Sequence, residues 1–128
     1  MSEYNSQYNR AVWFDIPVTD MDRAAAFYAA VLGIKVRKEQ APGGAYCVLE
    51  HHNGNGGSLV PGEPDASPSR GILVYLNVDG RILDAVELVG RKGGRVLQPV
   101  HGIGPHGFRA IVVDSEGNHI ALHSMTNA

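Results

Sequence analysis

Apolar and polar positions alternate from Ala11 to Val18, which predicts a strand. Trp13, Asp15 and Pro17 fall on one side of it, and Phe14, Ile16 and Val18 on the other. The period then lengthens. From Met21 to Leu32, the apolar residues Ala24, Phe27, Tyr28 and Val31 recur at helical spacing. Thr19-Asp20 supplies an N-cap before that helix, and Gly33 sits where a left-handed C-cap belongs. Short strands follow over Ile34–Arg37, Tyr46–His51 and Gly57–Val60, separated by turns at Pro42-Gly43-Gly44 and His52-Asn53-Gly54-Asn55. The stretch from Pro61 to Arg70 holds three prolines and reads as a connector.

The pattern then starts again. A strand is predicted over Gly71–Val78 and an amphipathic helix over Arg81–Val89, with Ile82, Ala85, Val86 and Val89 on one face. Gly90 and Gly93-Gly94 end it. Strands follow at Arg95–Val100, Phe108–Val113 and His119–Ser124, with a glycine-rich loop through Gly107 and a turn at Ser115-Glu116-Gly117-Asn118. Val18 matches Val78 at an offset of 60, Asn55 matches Asn118 and Leu59 matches Leu122 at 63, and Gly33 and Gly94 each precede a strand. Each half reads β-α-β-β-β, so the chain is an internal repeat. The expected organisation is a flexible tail over residues 1–10 and one domain over 11–124: module one at 11–60, the connector at 61–70, module two at 71–124.

Composition narrows the classes. The 128 residues suit one core, and 44% hydrophobic with 19% charged residues is a globular balance. A net charge of −2 leaves no footprint for nucleic acid or anionic membrane. The single cysteine, Cys47, rules out an internal disulfide or a Cys-rich zinc site, and reads as an inert buried thiol. No apolar run approaches the ~20 residues that span a bilayer. Met1 to Arg10 lacks the apolar stretch of a secretory signal, so a soluble cytoplasmic protein is expected. Sixteen glycines, twice the usual share, fit many turns between short strands. Gly102-Ile-Gly-Pro-His-Gly107 spells a dinucleotide fingerprint, but a strand rather than a helix follows it, and Pro105 removes a donor. It reads instead as a mobile loop at a cavity mouth, with His101 and His106 solvent-exposed.

Trp13-Phe-Asp-Ile-Pro-Val-Thr-Asp20, Ala26-Phe-Tyr28 and Val31-Leu-Gly33 resemble the opening of the vicinal oxygen chelate superfamily, the glyoxalase, bleomycin-resistance and extradiol-dioxygenase group. Asp114-Ser-Glu-Gly-Asn118 with Ile120-Ala-Leu122 resembles its closing hairpin. The resemblance implies an α+β fold of two tandem βαβββ modules, with curved mixed sheets around a cavity, in a homodimer. The exposed edges of such sheets point to a homodimer as well. Metal-dependent members of the group bind a divalent ion at four positions. Carried over, these fall on Trp13, Leu73, Ala121 and a position near Ser58. None of the four is a useful metal ligand, so no metal and no other cofactor is expected.

If Trp13 and Ala121 face the cavity, alternation brings Asp15, His119 and His123 with them, and Leu73 brings Tyr75 and Asn77. The resemblance and the repeat add Arg109, Ile111, Tyr46 and Val48, and leave Cys47 with the core. Trp13, Tyr46, Tyr75 and Arg109 are therefore the expected ligand-binding residues, with Arg109 as the clamp for an anionic group. Asp15, His119 and His123 are the candidate acid–base residues. Asp15 and Arg109 also suit a structural ion pair. His119 and His123 stand four residues apart on a strand, ~13 Å, too far to share one ion. Three functions are expected from this set. The first is a metal-free cavity that binds a small organic molecule, with or without acid–base catalysis. The second is a metal-dependent lyase, isomerase or dioxygenase with a displaced site. The third is a non-enzymatic protein that sequesters a drug or metabolite, for which a charge of −2 gives a cationic drug little steering.

Overall fold

The computed structural model describes residues 9–62 and 71–128. Most of the expected tail and connector, 1–8 and 63–70, lies outside the described residues. The elements run β1 (Ala11–Val18), α1 (Met21–Leu32), β2 (Val36–Ala41), β3 (Gly44–Leu49) and β4 (Gly56–Pro61). They then repeat as β5 (Leu73–Asn77), α2 (Ile82–Arg91), β6 (Arg95–Gly102), β7 (Phe108–Val113) and β8 (His119–Ser124). This is the predicted βαβββ order, twice.

The local signals act as read at the first helix. The Asp20 carboxylate accepts from the Arg23 amide at 3.0 Å, and Gly33 closes α1 in the left-handed region at φ 66°. At the end of α2 the glycine with positive φ is Gly93, at 98°, not Gly94. The repeat offset of 60 holds there too. β2 begins and ends later than predicted, because it pairs with β3 from Val36↔Leu49 to Ala41↔Gly44. Asn77 donates to the carbonyls of Asn9 and Arg10, so the last two residues of the expected tail are tied to β5.

All eight strands join one curved sheet, in the order β2-β3-β4-β1-β5-β8-β7-β6. The two modules meet at its centre, where β1 runs antiparallel to β5 with Trp13↔Tyr75, Phe14↔Val74 and Asp15↔Leu73 as partners. Phe14 and Val74 are equivalent in the repeat, so the seam is a local two-fold centred on that pair. The sheet edges are protected within the chain. β2 carries Arg37, Lys38 and Glu39, and β6 carries Pro99 and irregular pairing.

Alternation assigns the two faces. One face packs beneath the helices in two clusters. The first gathers Cys47, Leu49 and Leu59 with Phe14 and Ile16 under α1. The second gathers Ala110, Val112 and Leu122 with Ile82 and Ala85 of α2. The opposite face holds a third cluster across the seam: Val12, Tyr75 and Ala121, with Trp13, Leu73 and Ile111 against them. Val12 joins this face because the β1–β5 register slips by one residue between Ala11 and Trp13.

Candidate functional site

The seam-crossing face brings chemistry from four strands together. Asp15 on β1 and Tyr75 on β5 are repeat-equivalent, and the seam two-fold sets them diagonally across from each other. The Tyr75 hydroxyl donates to Asp15 Oδ2 at 2.7 Å. Arg109 on β7 donates through Nη1 to the Tyr75 oxygen at 2.6 Å, and its guanidinium carbon lies 6.0 Å from the centre of the Tyr75 ring. Arg109 Nε donates to His101 Nε2 on β6 at 3.0 Å. His101 Nδ1 is 2.8 Å from the Pro99 carbonyl. A continuous hydrogen-bonded chain thus runs from His101 through Arg109 and Tyr75 to Asp15.

The electrostatics follow from burial. Desolvation raises the Asp15 pKa above the ordinary carboxylate range, outweighing the Tyr75 hydroxyl, the Arg109 charge and the Trp13 N–H, which lower it. Tyr75, only 5% exposed, is pushed well above the usual phenol value by burial and by the Asp15 carboxylate. It therefore stays protonated, as a fixed donor to Asp15.

The four positions that the resemblance assigns to a metal have other employment. Trp13 Nε1 donates to Ser58 Oγ at 3.1 Å, while Leu73 and Ala121 belong to the apolar cluster on this face. Among the described residues, no three His, Cys, Asp or Glu side chains come together as a metal-holding group. The residues at the family's four positions do not fit a divalent ion.

The other expected site residues fall around this chain. Trp13 is adjacent, two residues before Asp15 on β1 and bonded to Ser58, the β4 partner of Asp15. His123 stacks obliquely 6.4 Å from Tyr75, but its Nε2 donates to the His106 carbonyl at 2.7 Å and so anchors the turn at Gly104–His106. His119 lies on β8 beside Val113, makes no side-chain hydrogen bond among the described residues, and is separated from Asp15 by β5. Tyr46 lies on β3, one strand beyond Ser58, and joins no bond of the chain.

Two participants differ from expectation. The glycine pattern puts His101 in an exposed loop. It is instead half-buried in β6, because pairing with β7 continues through His101↔Arg109 and Gly102↔Phe108. That register is the signal that would have found it. His51 packs edge-on against Trp13, with ring centres 5.4 Å apart. Glycine at 56 leaves room for this ring, since a Cβ there would lie 2.7 Å from it. A concavity of about 410 Å³ runs along the seam past Phe14, Ile72 and Val74, and none of Asp15, Tyr75, Arg109 or His101 lines it.

Fold and site together define a two-module α+β protein with a polar cluster where its modules meet. The chain belongs to the Glyoxalase/Bleomycin resistance protein/Dioxygenase superfamily, whose profile matches residues 10–122. A glyoxylase-like domain-containing protein from Didymella fabae is 34% identical over 117 residues, covering 84% of this chain and 88% of that protein. A superfamily member from Vibrio splendidus 12B01 superposes with a TM-score of 0.66 at 15% identity, over 91% of this chain and 99% of that one. A variant of Streptomyces coelicolor methylmalonyl-CoA epimerase, in complex with 2-nitronate-propionyl-CoA, gives 0.63 at 21% identity, over 94% and 99%. At those identities the structures share the fold. Among the described residues, no helix is long and apolar enough to cross a membrane.

Proposed function

We propose that the seam face binds a small organic anion without a metal ion, with Arg109 as its counter-charge and Asp15 as the group that exchanges a proton with it. The observation that carries this reading is the His101–Arg109–Tyr75–Asp15 chain. It uses Nε and Nη1 of Arg109 and leaves Nη2 with no partner among the described residues. A guanidinium held in this way suits a carboxylate or a similar oxyanion.

Trp13, the sole tryptophan, reports on the site directly. Titrating the protein with a panel of small mono- and dicarboxylates should give saturable Trp13 fluorescence changes. These should disappear in Arg109→Gln and persist in Lys92→Gln, a change on the exposed end of α2. Absence of saturation across the panel, or an unchanged affinity in Arg109→Gln, would sink the reading. So would one equivalent of zinc, nickel or manganese binding with micromolar affinity. A cytoplasmic location belongs to the same proposal.

The homodimer stands on new ground. Sheet edges no longer call for it, but α1 buries none of its own residues and leaves Phe27, Val31 and Leu32 exposed. We propose that two copies pair through this helix face. Light scattering should give twice the chain mass for the wild type and a single chain mass for Phe27→Asp. A wild-type monomer at micromolar concentration would rule the pairing out.

A further inference from the structure

Geometry assigns both ring nitrogens of His101. An arginine N–H has no lone pair to offer, so His101 Nε2 must accept from Arg109 Nε. The ring proton therefore sits on Nδ1, where it faces the Pro99 carbonyl, a group that only accepts. The imidazole is neutral and in one tautomer. It is fixed at one end by its own strand and fixes the guanidinium at the other.

We infer that His101 is a positioning residue. Its neutral Nδ1–H form locks the Arg109 guanidinium, so that Nη2 remains the free donor edge. The lock belongs to the chain alone; only its purpose, presenting Arg109 to an anion, rests on the function proposed above. The other titratable groups of this cluster are Asp15, Tyr75 and Arg109, with His123 bonded to the neighbouring turn. Among the described residues, no carboxylate lies at salt-bridge distance from His101.

Long-range proton–nitrogen NMR correlations test this without any ligand. The wild type should show His101 protonated on Nδ1 near neutral pH, together with a slowly exchanging Arg109 Nε–H. His101→Leu should exchange that proton about tenfold faster, the loss expected for a hydrogen bond to a charged group. His101→Gln, whose amide oxygen can accept from the same N–H, should restore the protection. A ring proton on Nε2, or equal Arg109 exchange in His101→Leu and wild type, overturns the inference. Carboxylate titration of the same proteins separates the two claims. If no carboxylate binds the wild type while the NMR results hold, the proposed function fails and the lock stands.

Discussion

The two modules share one plan but stabilise their helices by different means. α1 has both ends capped, by Asp20 and by left-handed Gly33, yet none of its residues is fully buried. α2 has no side-chain cap at its start, but Ile82 is completely buried and Ala85 nearly so, beneath Ala110, Val112 and Leu122. Both helices pack on the sheet, α1 through the partly buried Met21, Ala24, Ala25 and Tyr28, but α1 adds a cap at each end and α2 relies on fuller burial. The sheet beneath repeats the contrast. In module one a large Phe14 sits beside Gly57. In module two the equivalent positions are Val74 and Ile120, two residues of middling size. Similar volume is distributed in two ways, as close packing requires.

The largest expected effect breaks the helix comparison. Ile82→Ala removes a fully buried side chain and should cost about 2–5 kcal/mol in chemical denaturation. Phe27→Ala on α1, where the side chain is exposed in the single chain, should change stability by less than about 0.5 kcal/mol when measured below the concentration at which copies pair. Equal losses at the two sites would mean that α1 is covered as fully as α2, which is the outcome expected only at concentrations where two copies pair.

The sheet contrast can be tested next. A Cβ on Gly57 would lie 2.3 Å from the Phe14 ring, so Gly57→Ala should destabilise by about 1–3 kcal/mol. Adding Phe14→Val should recover part of that loss, with a coupling of about 0.5–3 kcal/mol between the two changes. Additivity in the double-mutant cycle would show that the ring moves aside without cost.

Capping gives a smaller and opposite pair of effects. Asp20→Ala should lose about 1 kcal/mol, because the Arg23 amide loses its acceptor. Arg81→Ser should gain a few tenths of a kcal/mol or more by placing a hydroxyl at the uncapped start of α2, offset by loss of the exposed Arg81–Asp84 pair. Melting temperatures measured side by side would show whether caps matter less where packing already holds the helix.

Much of this was legible in the sequence, because it depends on period and punctuation. The ten elements follow from spacing, while the face carrying Trp13, Asp15 and Tyr75 and the place of Cys47 in the core come from alternation joined to the family resemblance. What was not legible depends on register between distant strands. The offset of 60 between Asp15 and Tyr75 was visible, but not that β1 and β5 run antiparallel around Phe14 and Val74, which turns equivalent residues into hydrogen-bonded partners. Ser58 stood out only as a poor metal ligand. Its role as acceptor for the Trp13 indole needs the parallel pairing of β1 with β4. His101 was lost to the loop because glycines at 102, 104 and 107 suggest a strand end, and two further β6–β7 pairs carry the strand past it.

The smallest expected change in stability is the most informative about the seam. Asp15 accepts from the Tyr75 hydroxyl and faces the Arg109 charge yet has a raised pKa, because burial costs its charge more than its partners return. Between the ordinary carboxylate value of ~3.9 and the raised one, the folded chain therefore binds more protons than the unfolded chain, and stability falls as pH rises through that window. Below it the carboxyl is protonated in both states and the deficit vanishes. Asp15→Asn keeps an oxygen for the Tyr75 hydroxyl and carries no charge. It should be at least as stable as the wild type at about pH 7, with the advantage shrinking as pH falls through that window and gone below ~3.9, while any proton-transfer activity disappears. A structural ion pair with Arg109 predicts the reverse. Removing one member would leave the other uncompensated and cost about 3–5 kcal/mol at neutral pH if the pair were fully buried. Denaturation of both proteins on either side of that window decides between a carboxylate retained for its chemistry and one retained for the fold.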